Sequence, residues 1–211
     1  RSILNNPVPI VMTVGRFVPS KDYNTWLRVI RAVVDTGRKL RAIIIGYGEL
    51  EAEVRHLISE LKLNDVVEII PGDRSIDVYK FEETSDIFLS TSTREGTCNT
   101  IMEAANSELP VVATDVGDNT YLVKDGVTGY VLPVRDVKGL ANAVIDLLEN
   151  PSRRIEFGKN GKRNLMQNYS VERIVLQYVD LIEKSLKLLN VHLLTLPEGT
   201  ISGRSAASHL K

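Results

Sequence analysis

The segment that decides the fold is "DIFLSTSTREGTCNTIMEAANSELPVVAT", residues 86–114. Its first five residues, 86–90, and its last five, 110–114, are short apolar runs typical of buried strands. Between them, a polar loop leads into an apolar helical phrase from about Thr100 to Ser107. A strand, a helix and a second strand in this order predict a βαβ unit with two parallel strands.

The same alternation extends over most of the chain. Further strands are predicted at 8–14, 40–46, 66–70 and 129–133, and helices at 22–37, 49–63, 75–85, 119–124, 136–149, 151–168 and 170–189. Strands that alternate with helices predict a doubly wound α/β fold, in which a Rossmann-like parallel sheet carries helices on both faces. We expect this domain to occupy residues 1–189. Residues 190–211 are small and polar, and form either a return segment to another domain or an artificial extension.

Composition and charge narrow the classes of function. The chain has 211 residues, 43% hydrophobic and 25% charged, which is ordinary for a globular domain with a real core. A net charge of −1 argues against a nucleic-acid partner bound by general electrostatic attraction. The single cysteine, Cys98, fits a reducing compartment, so we expect a cytoplasmic protein, with peripheral membrane association as an alternative. No apolar run approaches the roughly 20 residues of a transmembrane helix. The start at Arg1, just before a predicted strand, leads us to expect part of a longer protein.

The expected functional edge is the one where the strands end, because doubly wound sheets bind ligands beyond the carboxyl ends of their strands. The loops that follow predicted strands hold the glycines and charges: Gly15-Arg16, Gly46 to Gly48, Gly72 to Arg74, Thr91 to Gly96 and Asp115 to Asn119. One of these loops, "GYGELE" (46–51), partly matches a dinucleotide fingerprint, but Glu51 occupies the third glycine position. A tight strand-to-helix turn is the simpler interpretation.

Two cations follow the first strand in "GRFVPSKD" (15–22). The planar guanidinium of Arg16 can donate two parallel hydrogen bonds to a diphosphate, and the ammonium group of Lys21 can contribute a compact positive charge. Taken alone, the loop could equally be a solvated basic loop. Its position at the expected ligand edge favours binding.

The segment "EGTCNTIMEA" (95–104) predicts an anion site. Asn99 or Thr97 is expected to cap a helix that starts near Thr100. The N–H groups and the dipole at such a helix start attract a phosphate.

Two carboxylates frame this segment. Glu103, one turn inside the helix, can point back toward its start and accept two hydrogen bonds from the vicinal diol of a ribose. Glu95, in the preceding loop, is expected near a sugar on the far side of the phosphates. The alternative for Glu103 alone is an exposed helix glutamate.

These segments, together with "IIIGYGELEAEVRHLISELKLNDVVEIIPG" and "YSVERIV", resemble the C-terminal half of a family 4 glycosyltransferase of the GT-B type. The resemblance runs from about Val8 to Leu189, and its most specific element is the E-x7-E pair, Glu95 and Glu103. It implies a domain that binds a nucleotide sugar and belongs to an enzyme that transfers the sugar to an acceptor hydroxyl with retention of configuration. The acceptor, a glycan, lipid or small molecule, would bind an N-terminal domain outside this sequence, and the isolated chain would be inactive.

The resemblance also implies roles for individual residues. Arg16 and Lys21 would bind the diphosphate, Glu103 the ribose and Glu95 the transferred sugar, with Arg16, Lys21 and Glu95 as the catalytic group. The remaining expected binding residues lie in three loops: Gly15 after the first strand; Gly72, Asp73 and Arg74, in a loop to Ile76 beside the base; and the backbone of Gly96, Thr97, Cys98 and Asn99 beside sugar and phosphate.

Departures from the family pattern lie at Asp22, Thr97-Cys98, Gly117-Asp118 and Tyr121. No D-x-D pair occurs, so we expect neither a metal ion nor a cofactor, and we assign the diphosphate charge to Arg16 and Lys21. Two alternatives remain open: a non-catalytic nucleotide-binding or interaction domain of the same fold, and a GT-B epimerase.

Overall fold

Six parallel strands form one sheet in the order β3-β2-β1-β4-β5-β6. The computed structural model describes residues 8–73 and 76–188. The strands are β1 (Ile10–Val14), β2 (Arg41–Gly46), β3 (Val67–Pro71), β4 (Ile87–Ser90), β5 (Val111–Thr114) and β6 (Gly129–Leu132). The helices are α1 (Tyr23–Asp35), α2 (Glu51–Glu60), α3 (Val78–Thr84), α4 (Asn99–Asn106), α5 (Asn119–Leu122), α6 (Val137–Glu149), α7 (Pro151–Asn168) and α8 (Val171–Leu188), with a 3-10 turn at Pro19–Lys21.

The strand order reverses at β1, which confirms the predicted doubly wound fold. Val11 of β1 lies opposite Ala42 of β2 on one side and Ile87 of β4 on the other. The connections from β1 and β4 therefore leave in opposite directions, which opens a crevice between their carboxyl ends. The loops after these two strands are the ones that carry Arg16, Lys21 and Glu95.

Both faces of the sheet are covered, which explains why its central strands are almost wholly apolar. The apolar residues of one face pack against α1, α2 and α6, and those of the other face pack against α3, α4 and α5. Trp26 of α1 is 1% exposed and donates its indole N–H to the Leu89 carbonyl at 3.2 Å, which places it in the core. Strand β3 lies at the sheet edge and is only partly buried.

A buried ion pair connects α7 to the sheet. The Arg154 guanidinium lies 3.5 Å from Asp86, and their side chains are 6% and 3% exposed. Asp86 also accepts a 2.8 Å hydrogen bond from the Ile10 backbone N–H, while Arg154 donates to the carbonyls of Leu147 and Leu148. These bonds compensate much of the cost of burying the two charges, although Arg154 Nε has no hydrogen-bond partner among the described residues.

Element boundaries differ from expectation mainly in α3, which begins at Val78 rather than near residue 75. The chain divides into two compact units, Arg1–Tyr169 and Ser170–Lys211. In the second unit, α8 is the described element, and the predicted extension at 190–211 lies outside the described residues. Within the described ranges, no helix is both long enough and apolar enough to cross a bilayer.

Candidate functional site

The ends of the first three strands meet through glycine backbone. A Cβ on Gly46 would lie 2.1 Å from the Gly15 carbonyl oxygen, and a Cβ on Gly72 would lie 2.9 Å from the Gly46 Cα. Only glycine fits where the backbones of the three strand ends approach so closely. The three glycines border a cleft of about 240 Å³ at the ligand edge, which Arg16 and Asp73 also line.

The strongest contact in the site joins the loops after β1 and β4. Lys21 Nζ donates to Glu95 Oε1 at 2.6 Å, and the two side chains are 22% and 12% exposed. The backbone holds the same two loops together, because Thr93 N–H donates to the Ser20 carbonyl at 2.7 Å. Two residues that lie 74 positions apart in the sequence are therefore brought into direct contact at the crevice.

Ser92 is a further partner of Glu95 that sequence reasoning missed. Its hydroxyl donates to the same Glu95 Oε1 at 2.6 Å, and the residue is only 1% exposed. The Ser92 carbonyl in turn accepts a 2.6 Å bond from the Thr114 hydroxyl of β5. The available signal was a serine two positions after an apolar strand and three positions before Glu95.

Arg16 lies in the same loop as Lys21, after β1, and lines the cleft at the ends of β1, β2 and β3. It is exposed, and within 8–73 and 76–188 no carboxylate forms an ion pair with it. The preceding residue, Gly15, is fixed because its carbonyl accepts a 2.8 Å bond from the Tyr23 hydroxyl. Burial raises the pKa of Tyr23 above its usual range, so the phenol stays protonated and remains a donor. The guanidinium is thus available to an anionic ligand on a fixed backbone.

The start of α4 differs from the predicted cap. The helix begins at Asn99, and its N-cap residue is Cys98 with no side-chain capping bond. Asn99 is inside the helix, and the Thr97 hydroxyl donates instead to Asp118 at 2.9 Å, so neither residue caps. The N–H of Ile101 donates to the Cys98 carbonyl at 3.1 Å. Because no side chain caps the helix start, the N–H groups of Asn99 and Thr100 are available to a phosphate.

Cys98 is buried beneath this helix start. Burial raises the pKa of its thiol, whose sulfur lies 3.4 Å from the Thr100 hydroxyl. A thiol that resists ionisation is a poor nucleophile. The thiol of Cys98 is therefore a poor candidate for nucleophilic catalysis, and a backbone role for this residue stays a prediction.

The loop after β5 packs against the Glu95 loop. Gly117 has a φ of +51°, and a Cβ there would lie 2.4 Å from the Glu95 carbonyl oxygen. The next residue, Asp118, donates its N–H to the Gly96 carbonyl at 3.3 Å and accepts from the Thr97 hydroxyl. Three neighbouring residues of the predicted binding loop, 95–97, are therefore held by Gly117 and Asp118.

Glu103 lies on α4 and is exposed, and no residue in the described part of the chain pairs with its carboxylate. Partial desolvation by surrounding protein atoms nevertheless raises its pKa. A carboxylate that is unpaired and partly desolvated gains when a ligand donates hydrogen bonds to it. The position and state of Glu103 suit a hydroxyl-bearing ligand.

The predicted site residues thus form two neighbouring groups at one edge of the sheet. Gly15, Arg16, Gly72 and Asp73 border the cleft. Glu95 to Asn99 and Glu103 belong to the β4–α4 loop and to α4, and Lys21 contacts Glu95 from the loop after β1. Arg74 falls outside the described residues. Where the structure describes the chain, no three His, Cys, Asp or Glu residues form a group that could hold a metal ion.

A larger cleft of about 630 Å³ lies between the start of α1 and α2, and none of the predicted site residues lines it. Size alone does not identify a binding site here. The smaller cleft is the better candidate because it lies beyond the ends of β1, β2 and β3, where a doubly wound sheet binds its ligand.

Comparison with known proteins gives a consistent result. A model of the family described as "Glycosyl transferases group 1" matches residues 2–164. The trehalose synthase of Thermococcus litoralis is 29% identical over 182 residues, which cover 82% of this chain and 44% of that protein. The poly(ribitol-phosphate) alpha-N-acetylglucosaminyltransferase of Staphylococcus aureus is 27% identical over 174 residues, which cover 82% of this chain and 35% of that protein.

A solved structure agrees with these sequence matches. A variant of S. aureus TarM, crystallised with fondaparinux, alpha-GlcNAc-glycerol and UDP, superposes with a TM-score of 0.76 at 26% identity. The match covers 82% of this chain and 35% of that chain. The chain therefore spans less than half the length of each of these three proteins.

Proposed function

This chain belongs to the group 1 glycosyl transferases and has the fold of a GT-B domain, and from that premise we propose that it binds the nucleoside-diphosphate sugar from which the enzyme transfers a sugar to an acceptor hydroxyl. The observation that carries the proposal is that three groups lie at the same edge of the sheet: the Lys21–Glu95 pair, the uncapped start of α4 and the exposed Arg16. We infer that Arg16, Lys21 and the dipole of α4 supply the positive charge that a diphosphate requires.

In the proposed mechanism, Arg16, Lys21 and the start of α4 stabilise the negative charge that develops on the departing diphosphate. Preorganised donors of this kind are worth about 3–4 kcal/mol each in a transition state. No metal ion is part of the proposal, because these donors carry the charge. Lys21 exchanges part of its contact with Glu95 for a phosphate oxygen when the donor binds.

Glu95 orients the transferred sugar. Its Oε1 already accepts hydrogen bonds from Lys21 and Ser92, both at 2.6 Å. A carboxylate oxygen held by two donors is less nucleophilic than a free one, which suits an orienting role. We propose that transfer retains the anomeric configuration, with the acceptor attacking from the side of the leaving group.

Glu103 accepts hydrogen bonds from the ribose hydroxyls. Its carboxylate has no partner in the described residues, and its raised pKa reflects the partial loss of water around it. The acceptor would bind elsewhere in a longer enzyme, so the 211-residue chain is expected to bind the donor and to transfer nothing alone.

Calorimetric titration with UDP, GDP and ADP tests the donor site and identifies the base. Glu103→Ala and Arg16→Ala are expected to weaken binding of the preferred nucleotide by about tenfold or more, the loss of one charge-assisted contact. Glu156→Ala on α7 and Arg28→Ala on α1 remove exposed side chains of the same types outside the site and serve as matched controls. The proposal fails if no nucleotide binds, or if the site variants bind as tightly as the controls.

A further inference from the structure

Tyr47 is an exposed aromatic residue at the ligand edge that the proposed mechanism does not use. It follows β2 directly, and it is 57% exposed. It borders the 240 Å³ cleft together with Arg16 and Asp73. An exposed aromatic ring beside Arg16 would gain from contact with a ligand that has an apolar face, because the contact would remove apolar surface from water.

The backbone of Tyr47 is held on both sides. Its carbonyl accepts a 2.8 Å bond from the Phe17 N–H. Gly46 before it packs against the Gly15 carbonyl, and a Cβ on Gly48 after it would lie 2.7 Å from the Phe17 nitrogen. The ring can therefore reorient only about its own two side-chain torsions, so little entropy is lost when it contacts a ligand.

The cleft beside Tyr47 suits a flat heterocycle. Its floor is glycine backbone, which leaves room for a ring to approach closely. The rest of its lining is mainly apolar, from side chains such as Ile45, Ile76 and Val78. A nucleobase has two apolar faces and a polar edge, which match an apolar slot that is open to water on one side.

We propose that the Tyr47 ring stacks on the nucleobase of the donor and forms one wall of its pocket. This inference rests on the proposed function, which places the diphosphate between Arg16 and the start of α4. Arg16 also lines the cleft, so a nucleotide whose phosphates contact Arg16 has its base within reach of Tyr47. Because every base has a stackable face, Tyr47 strengthens binding of any nucleotide and does not by itself choose the base.

The test compares nucleotide and pyrophosphate binding in three variants. Tyr47→Ala is expected to weaken binding of the preferred nucleoside diphosphate by about tenfold, the size of one lost base–aromatic stack. Binding of inorganic pyrophosphate, which has no base, should be unchanged. Tyr47→Phe keeps the ring and should bind as the unaltered chain does. Tyr79→Ala, on α3, removes a comparably exposed tyrosine that does not line the cleft and serves as the control.

Saturation-transfer NMR gives an independent readout. The base protons of the bound nucleotide should receive strong saturation in the unaltered chain and in Tyr47→Phe, and much weaker saturation in Tyr47→Ala. Equal nucleotide affinity in Tyr47→Ala and the unaltered chain overturns the inference and leaves the proposed function intact. If Tyr47→Ala weakens the binding of nucleotide and of pyrophosphate equally, the inference is also overturned. The loss would then come from a disturbed loop and not from a lost stacking contact. Absence of any nucleotide binding by the unaltered chain refutes the proposed function, and this inference with it.

Discussion

Replacing Gly117 by alanine should both destabilise the fold and disturb the Glu95 loop. Gly117 has a φ of +51°, a conformation that costs an alanine about 1–2 kcal/mol. The new Cβ would also lie 2.4 Å from the Glu95 carbonyl oxygen and 2.7 Å from that of Gly96, well inside the 3.0 Å limit of real contacts. Both neighbours are backbone atoms, so one loop must move, at a further cost of about 1–3 kcal/mol. We expect the free energy of unfolding to fall by about 2–5 kcal/mol, the sum of the two costs.

Gly126→Ala distinguishes the cost of the positive φ from the cost of the steric clash. Gly126 has a φ of +69°, but a Cβ there meets no atom within 4 Å. Urea unfolding should therefore show a loss of only about 1–2 kcal/mol, the backbone cost alone. Calorimetry with the preferred nucleotide should show weaker binding in Gly117→Ala and unchanged binding in Gly126→Ala. Equal destabilisation in the two variants would refute the claim that the loop after β5 supports Glu95.

Three further results are expected. Ser92→Ala should lower the free energy of unfolding by about 2 kcal/mol in urea, because it removes a hydrogen bond to a charged group, and by less in a Glu95→Gln background. Nucleotide affinity measured against pH should fall as the pH drops through the raised pKa of Glu103, above the ordinary glutamate value of 4.5, because a protonated carboxyl accepts ribose hydroxyls poorly. Arg154→Met should cost about 3–5 kcal/mol in urea unfolding, because it leaves the Asp86 carboxylate buried without its cation.

Each of these results has a control. A Ser92→Ala loss that stays the same in the Glu95→Gln background would show that the hydroxyl does not act through Glu95. The pH dependence should disappear in Glu103→Gln, and its persistence there would assign it to another group. Arg153→Met breaks the more exposed pair with Asp146 and should cost about 1 kcal/mol or less, so an equal cost for both arginine variants would contradict the role given to burial.

Much of the architecture could be predicted from the sequence. Short apolar runs that alternate with amphipathic helices led to the doubly wound sheet, and the structure confirms it. The resemblance to a GT-B glycosyltransferase is confirmed at the level of the group 1 family, while family 4 and the residue roles remain predictions. Local capping was predicted less well: the structure places Cys98 before α4, where Asn99 or Thr97 was expected to cap. A side chain caps a helix only if no other group competes for its hydrogen bond. The Thr97 hydroxyl bonds to Asp118, which belongs to another loop, and this contact could not be seen in the local sequence.

The positions of the strands and helices could be predicted from the chain alone, because hydrophobic period is a local property. The same local pattern indicated that Glu95 and Glu103 bracket the start of one helix, since both lie within a few residues of it. Three contacts became evident in the folded molecule: Lys21 meets Glu95, Gly117 packs behind Glu95 and Tyr47 borders the cleft. Those contacts join loops from different strands, and their distances depend on strand order and register, which no local pattern encodes.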